Sequence, residues 1–105
     1  MKFLVKATMP IESGNAIIHS PNWSQQIEQV LGDLRPEAAY FAVANGQRTI
    51  YAVVDLADSS ELPRIVEPLW LALKADVEVI PIMDQADFGK AAAHIEQAAK
   101  KYPAS

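Results

Sequence analysis

The residues best suited to chemistry lie on one face of a predicted β-hairpin. The hairpin spans Ala38 to Asp55 and turns at Asn45-Gly46. Asn-Gly between two β-rich runs favours a two-residue type I′ turn, because both central residues need a positive φ. That loop length places Tyr40 directly opposite Tyr51, with Thr49 on the same face. Two phenol hydroxyls and a threonine hydroxyl could bind a polar ligand or take part in proton transfer.

Two charged side chains are expected beside these hydroxyls. Strand alternation puts Lys6 of the first predicted strand and Glu78 of the fourth on the same face as Tyr51. On neighbouring strands, the ammonium and the carboxylate could neutralise each other. Apolar surface with a few placed polar groups is typical of a small-molecule pocket. Plain structural roles stay open as well, namely a cross-strand aromatic pair for Tyr40 and Tyr51 and a structural ion pair for Lys6 and Glu78.

The two histidines differ in how well their positions suit a functional role. His19 lies in a segment near the expected mouth of the pocket, and histidine is the usual proton carrier near neutral pH, so it joins the candidate ligand-binding residues. His94 falls on the outer face of the last helix. Their spacing fits no metal site, and neither a phosphate loop nor a nucleophile elbow is present. The sequence therefore predicts no metal and no cofactor, and it identifies no catalytic residue.

Length and charge exclude several classes of protein. A chain of 105 residues is expected to form one domain, residues 1–105. The net charge of −4 and the scattered basic residues argue against a nucleic-acid partner. Without cysteine there is no disulfide framework. The apolar run at the N-terminus is too short for a signal peptide or a membrane span, so we expect a cytoplasmic protein with no membrane partner.

Local signals predict the helices around the hairpin. Ser20 is expected to cap the first helix, with Pro21 at its first position. The segment Ile11 to His19 is open between a loop and a helical turn. Asp58-Ser-Ser-Glu61 resembles a capping box and should start the second helix. Pro68 in that helix predicts a kink or a break near residues 64–67.

The end of the chain is predicted to add a fourth strand and a final helix. The strand runs from Asp76 to Ile82, and Pro81 places it at a sheet edge. The final helix starts at Asp84 with Asp87 three residues on. Its apolar stripe is expected to face the core: Phe88, Ala91, Ala92, Ile95, Ala99 and Tyr102. The second face of the hairpin is likewise expected in the core: Ala39, Phe41, Val43, Ile50, Ala52 and Val54.

This order, β-α-β-β-α-β plus a terminal helix, is the ferredoxin-like arrangement of an α+β fold with a four-stranded antiparallel sheet. Five stretches carry a resemblance to the dimeric α+β barrel superfamily, and within it to an uncharacterised group of small bacterial proteins: Met1-Lys-Phe-Leu-Val, Pro36-Glu-Ala-Ala-Tyr-Phe, Gly46-Gln-Arg-Thr-Ile, Val54-Asp-Leu-Ala-Asp and Val77-Glu-Val-Ile-Pro-Ile. The resemblance implies the sheet order 4-1-3-2 and two subunits paired through the sheet faces that the helices leave bare. Activities differ among members, so it implies no catalytic residue.

Three functions remain open at this point. The first is a homodimer that binds a small molecule on the Tyr40/Tyr51 face without turnover. The second, implied by the resemblance, is a small cofactor-free monooxygenase or isomerase. The third is a structural module whose bare face serves only dimerisation. An uncovered face that is half apolar favours a partner in all three cases.

Overall fold

The computed structural model describes residues 1–104, which form an antiparallel sheet with helices packed on one side. The four strands are β1 (Lys2–Met9), β2 (Ala38–Ala44), β3 (Gln47–Asp55) and β4 (Asp76–Pro81). The four α-helices are α1 (Ile11–Ile18), α2 (Trp23–Leu34), α3 (Leu62–Leu73) and α4 (Gln85–Lys101). A short 3-10 turn, Ser59–Glu61, leads into α3. No helix within residues 1–104 is long and apolar enough to cross a membrane.

The sheet order is β2-β3-β1-β4, and every neighbouring pair is antiparallel. This is the predicted order 4-1-3-2 read from the other edge, so the ferredoxin-like α+β arrangement is confirmed. Strand β4 lies at an edge, as Pro81 indicated. Strand β2 forms the opposite edge.

The hairpin has the predicted turn and register. Asn45 has φ 53° and Gly46 has φ 72°, so both central residues are in the left-handed region that a type I′ turn requires. Tyr40 pairs with Tyr51, and Phe41 pairs with Ile50. The turn thus sets which side chains share a face of the sheet.

The core lies between β1, β3 and the helices α2 and α3. Alternate residues of the two central strands are fully buried, among them Val5, Ala52 and Val54. The helices contribute a stripe of buried aliphatic side chains: Val30, Leu34, Ile65, Leu69 and Leu73. One face of the sheet is therefore covered, and the other carries no helix of this fold.

Two residues predicted for the core are not in it. Phe41 is 64% exposed and Val43 is 81% exposed, although both are on the helix-covered side of the sheet. The prediction was wrong for these two because β2 is an edge strand and the helices cover the centre of the sheet. Ile50, Ala52 and Val54, on the next strand in, are buried as expected.

Helix starts agree with the local signals in two of three cases. The capping boxes at Asp58 and Asp84 both form. The prediction for α2 was wrong, because it begins at Trp23 with Asn22 as its N-cap, two residues later than expected. The Ser20 hydroxyl donates a hydrogen bond to the Asn22 side chain at 2.6 Å and so belongs to the preceding turn.

Two segments that proline and glycine made difficult to assign are helical. Ile11–Ile18 forms α1. The helix α3 runs without a break through Pro68. The expected break is absent because Ile65 and Leu69, one on each side of the proline, are both fully buried and hold the helix against the sheet.

Helix α4 differs most from expectation, because none of its residues is buried. Phe88, Ile95 and Tyr102 of its apolar stripe are 56%, 52% and 71% exposed. The radius of gyration is 17.6 Å and the longest dimension is 59 Å, whereas a compact chain of this length has a radius of about 13 Å. The stripe was predicted to face the core and instead faces solvent, since α1, α2 and α3 already occupy the covered side.

Candidate binding face

The side of the sheet opposite the helices, here called the open face, brings most of the candidate residues together. Tyr40 pairs with Tyr51, Tyr51 pairs with Lys6, and Lys6 pairs with Glu78. These four residues form one continuous row across all four strands, which we call the polar row. The hairpin register predicted the pairing of Tyr40 with Tyr51, and strand alternation predicted that Lys6 and Glu78 share their face, whereas the alignment of all four in one row comes from the β1 registers.

The rows on each side of the polar row have different character. One is apolar and consists of Ala38, Val53, Leu4 and Ile80. The other is mainly polar and consists of Ala42, Thr49, Thr8 and Asp76. The open face therefore changes from apolar to polar along the strands, with the tyrosines and the Lys6 ammonium at the boundary. Such a surface suits a ligand with an apolar body and a polar end.

The side chains of the polar row are available to a ligand. Within residues 1–104, no hydrogen bond involves the hydroxyl of Tyr40 or Tyr51, the ammonium of Lys6 or the carboxylate of Glu78, whereas other polar side chains do form such bonds. Tyr51 and Lys6 are half-buried, and Tyr40 and Glu78 are exposed.

Lys6 and Glu78 are neighbours without being an ion pair. Their backbone positions are directly opposite in the β1–β4 register. The salt bridges within residues 1–104 join the N-terminal amine to Asp55, Lys2 to Glu37 and Arg64 to Glu61, so the expected mutual neutralisation does not occur. The Lys6 ammonium thus remains a donor for a partner from outside the chain.

Thr49 has a structural role within this face. It is 2% exposed, and its hydroxyl donates a hydrogen bond of 3.1 Å to the backbone carbonyl of Gln47. That bond occupies the hydroxyl proton, so only the oxygen lone pairs remain for another group. Thr49 consequently fixes the turn end of β3 more than it offers a donor to a ligand.

A charged border closes one end of the open face. Lys2 Nζ lies 2.5 Å from Glu37 Oε2, and the N-terminal amine lies 2.8 Å from Asp55 Oδ1. The hydrogen bond with Glu37 raises the pKa of Lys2, and the hydrogen bond from the N-terminal amine lowers the pKa of Asp55. Asp84, which caps α4, also contributes to the raised pKa of Lys2, so α4 starts beside this border.

The structure separates His19 from the other candidates. It is exposed at the C-terminal cap of α1, and α1 belongs to the covered side because Ile17 packs against the core. His94 is exposed on α4, as predicted for a solvated residue. Within residues 1–104, no three His, Asp or Glu side chains are grouped as metal ligands.

Two open-face residues were missed in the sequence. Thr8 and Asp76 pair with each other and continue the row of Thr49. Thr8 and Asp76 are two residues from Lys6 and Glu78 along β1 and β4, so the same strand alternation would have placed both on this face.

Two clefts lie away from the open face. One of about 340 Å³ lies between α2 and α3, and its lining includes Val30 and Leu71. A smaller one of about 150 Å³ is lined by Phe3, Leu56 and Leu62 at the end of the core. Neither includes a residue of the polar row. The open face of a single chain thus borders neither of these clefts.

Fold and surface together define a small α+β protein with a ferredoxin-like strand order and a polar row on the uncovered side of its sheet. The chain belongs to the family described as Domain of unknown function (DUF3303), whose model matches residues 1–96. The match covers the four strands, α1 to α3 and most of α4. No curated protein matches the chain.

Proposed function

We propose that this protein is a cytoplasmic homodimer of the dimeric α+β barrel type, and that it binds a small molecule between two open faces without turnover. The polar row carries the proposal. It supplies two phenols and an ammonium, free of partners in residues 1–104, beside an apolar row on a face that no helix of this fold covers.

The dimer is supported by the apolar half of the open face. Leu4, Val53 and Ile80 lie side by side on three adjacent strands. An exposed apolar row of this kind is usually buried against a partner. A two-fold pair of sheets buries two such rows at once, with the sheets about 10 Å apart. The polar rows of both copies would then line the space between them.

The ligand class follows from the donors that remain unpaired, since Glu78, the carboxylate of the row, lies on the other side of Lys6 from Tyr51. The Lys6 ammonium and the Tyr51 hydroxyl lie on adjacent strands and can both donate to one acceptor oxygen. The neighbouring Leu4 and Val53 offer apolar contact. The proposed ligand is therefore a small apolar molecule that carries a carboxylate, an enolate or a carbonyl oxygen.

Replacement of Tyr51 by phenylalanine tests this binding site. The change removes one hydroxyl and keeps the ring, so affinity for the retained ligand should fall about three- to tenfold, the effect of one hydrogen bond. Ser24→Ala is the control, since it deletes an exposed hydroxyl from α2, on the covered side of the sheet. Equal affinity of the Tyr51 variant and the wild type, measured by isothermal calorimetry with the ligand that copurifies, would remove Tyr51 from the site.

A cofactor-free monooxygenase or isomerase is the second candidate, favoured by the direct pairing of Tyr51 with Lys6. A phenol and an ammonium on adjacent strands are both groups that can pass a proton to or from a bound substrate. This candidate requires that turnover of an identified substrate collapse in Tyr51→Phe. Unchanged turnover in that variant would eliminate it and leave the binding function intact.

A further inference from the structure

Strand β2 is uncovered on both of its sides. Tyr40 on the open face and Phe41 on the helix-covered side are exposed to the same degree, 65% and 64%. Ala42 and Val43 repeat the pattern on the same two sides. A partner sheet on the open face would cover Tyr40 and Ala42 but would leave Phe41 and Val43 in water.

Helix α4 carries an apolar stripe that matches this uncovered surface. Its apolar stripe has small residues along the middle, Ala91, Ala92 and Ala99, and large residues at Phe88, Ile95 and Tyr102. The basic residues Lys90 and Lys101 are on the opposite side of the helix at helical spacing. No α4 residue is buried, and of its stripe only Ala91 and Ala92 are partly covered.

We propose that α4 of one subunit packs along the helix-covered side of β2 in a second copy of the chain. The proposal rests on the homodimer proposed above and adds a second, reciprocal contact to it. The occupant of the Phe41/Val43 surface is thus the apolar stripe of the partner subunit's α4.

The chain cannot make this contact with itself. Strands β4 and β2 are opposite edges of the sheet, three strand spacings or about 14 Å apart. Helices α2 and α3 fill the covered side between them. Only Ile82, Met83 and Asp84 separate β4 from α4, and the four steps from Pro81 to Gln85 span about 14 Å at most. A link of this length does not carry α4 over the helix layer to the far edge of its own sheet, so the uncovered β2 that the stripe can reach is that of another molecule.

A two-fold axis parallel to the strands gives the contact its geometry. Such an axis stacks β4 of one sheet over β2 of the other at a spacing of about 10 Å, which the link before α4 can cross, so the partner's α4 can pass the β2 edge and reach its helix-covered side. The lengths also agree. The 17 residues of α4 span about 25 Å, and the seven residues of β2 span about 24 Å.

The apolar area that the α4 contact would bury is close to what a stable dimer needs. The exposed parts of Phe88, Ile95, Tyr102, Phe41 and Val43 amount to on the order of 700 Å² per chain, where a standard interface buries about 800 Å² per partner. A two-fold exchange forms this contact twice and so buries both surfaces of each chain once. The open faces add to this sum.

Ile95→Asp tests the contribution of α4 in the full-length protein. A carboxylate in the stripe should weaken the dimer at least tenfold in light scattering over a concentration series, because its charge would be buried without a partner. Gln97→Asp is the control, since it adds the same charge on the opposite side and should leave the dimer unchanged. Unfolding of the isolated subunit should be unaffected by either change, because no α4 residue is buried.

Cysteine crosslinking tests the surface that α4 contacts. The chain has no cysteine, so Val43→Cys combined with Ile95→Cys gives one defined pair, joined with a short bismaleimide. A covalent dimer on a denaturing gel supports the proposal, and the pair Val43→Cys with Gln97→Cys should give none. A dimer in solution without this crosslink overturns the α4 contact and leaves the open-face dimer standing. A monomer in solution overturns both.

Discussion

Tyr51 belongs both to a central strand of the fold and to the proposed binding site. Its ring lies between Tyr40 and Lys6 in a row fixed by backbone pairing on both sides. Because β3 is a central strand, it cannot move without disturbing the core residues Ala52 and Val54. A ligand would therefore meet a donor pair that is already in place, which reduces the ordering cost of binding.

Two leucines of α3 differ in burial, and we therefore expect their substitutions to differ in their effect on stability. Leu69 is 0% exposed and Leu71 is 77% exposed. Leu69→Ala should lower the free energy of unfolding by about 2–5 kcal/mol, because it leaves a cavity under the sheet. Leu71→Ala, the same substitution on the same helix, should cost less than about 1 kcal/mol. Urea denaturation followed by circular dichroism measures both, and equal losses would place the core elsewhere.

At the scale of elements, α3 depends on the capping box that precedes it. The Ser60 backbone N–H donates to Asp58 Oδ1 at 2.8 Å, and this bond lowers the pKa of Asp58 below its ordinary 3.8. A carboxyl with a lowered folded pKa stabilises the protein above its unfolded pKa, and it loses that effect as the pH falls through the folded value.

The capping box at Asp58 therefore predicts part of the loss of stability at low pH. Between about pH 5 and pH 2 the wild type should lose stability more steeply than Asp58→Asn, which carries no titrating group at that position. Asp33→Asn is the control, since no hydrogen bond within residues 1–104 is made by the Asp33 side chain. Thermal midpoints measured at each pH give the slopes. Parallel slopes for the wild type and Asp58→Asn would show that the cap is not formed in solution.

Elements set by local chemistry were predictable from the sequence. Asn45-Gly46 fixed the turn, and the turn fixed the register that aligns Tyr40 with Tyr51. The capping boxes at Asp58 and Asp84 involve only residues within one helical turn. The order of the strands was implied by the resemblance to the dimeric α+β barrel superfamily, and strand alternation then assigned the residues of the candidate face.

Features that depend on distant contacts were not predictable. Phe41 and Val43 alternate like core residues, and only the placement of the helices over the central strands leaves them exposed. The α4 stripe has helical spacing whether its partner is in the same chain or another. Lys6 and Glu78 were correctly placed side by side, but the register does not determine whether their long side chains meet. His19 was separated from the site because Ile11–Ile18 folds on the covered side.

At the scale of the whole molecule, one chain leaves three apolar surfaces uncovered: the apolar half of the open face, the outer side of β2 and the α4 stripe. A single two-fold dimer would cover all three. It would also convert the polar row from a surface into the wall of an enclosed site, where exclusion of water strengthens each hydrogen bond to a ligand.

Native mass spectrometry of the freshly purified full-length protein tests the central claim most directly, since one spectrum reports both stoichiometry and retained ligand. The account predicts a dimer at micromolar concentration with a small molecule bound, and a smaller bound fraction in Tyr51→Phe than in the control Ser24→Ala. A monomer at that concentration would contradict the dimer. A dimer that stays ligand-free in cell extract as well as in buffer would contradict the binding function and leave a structural dimerisation module.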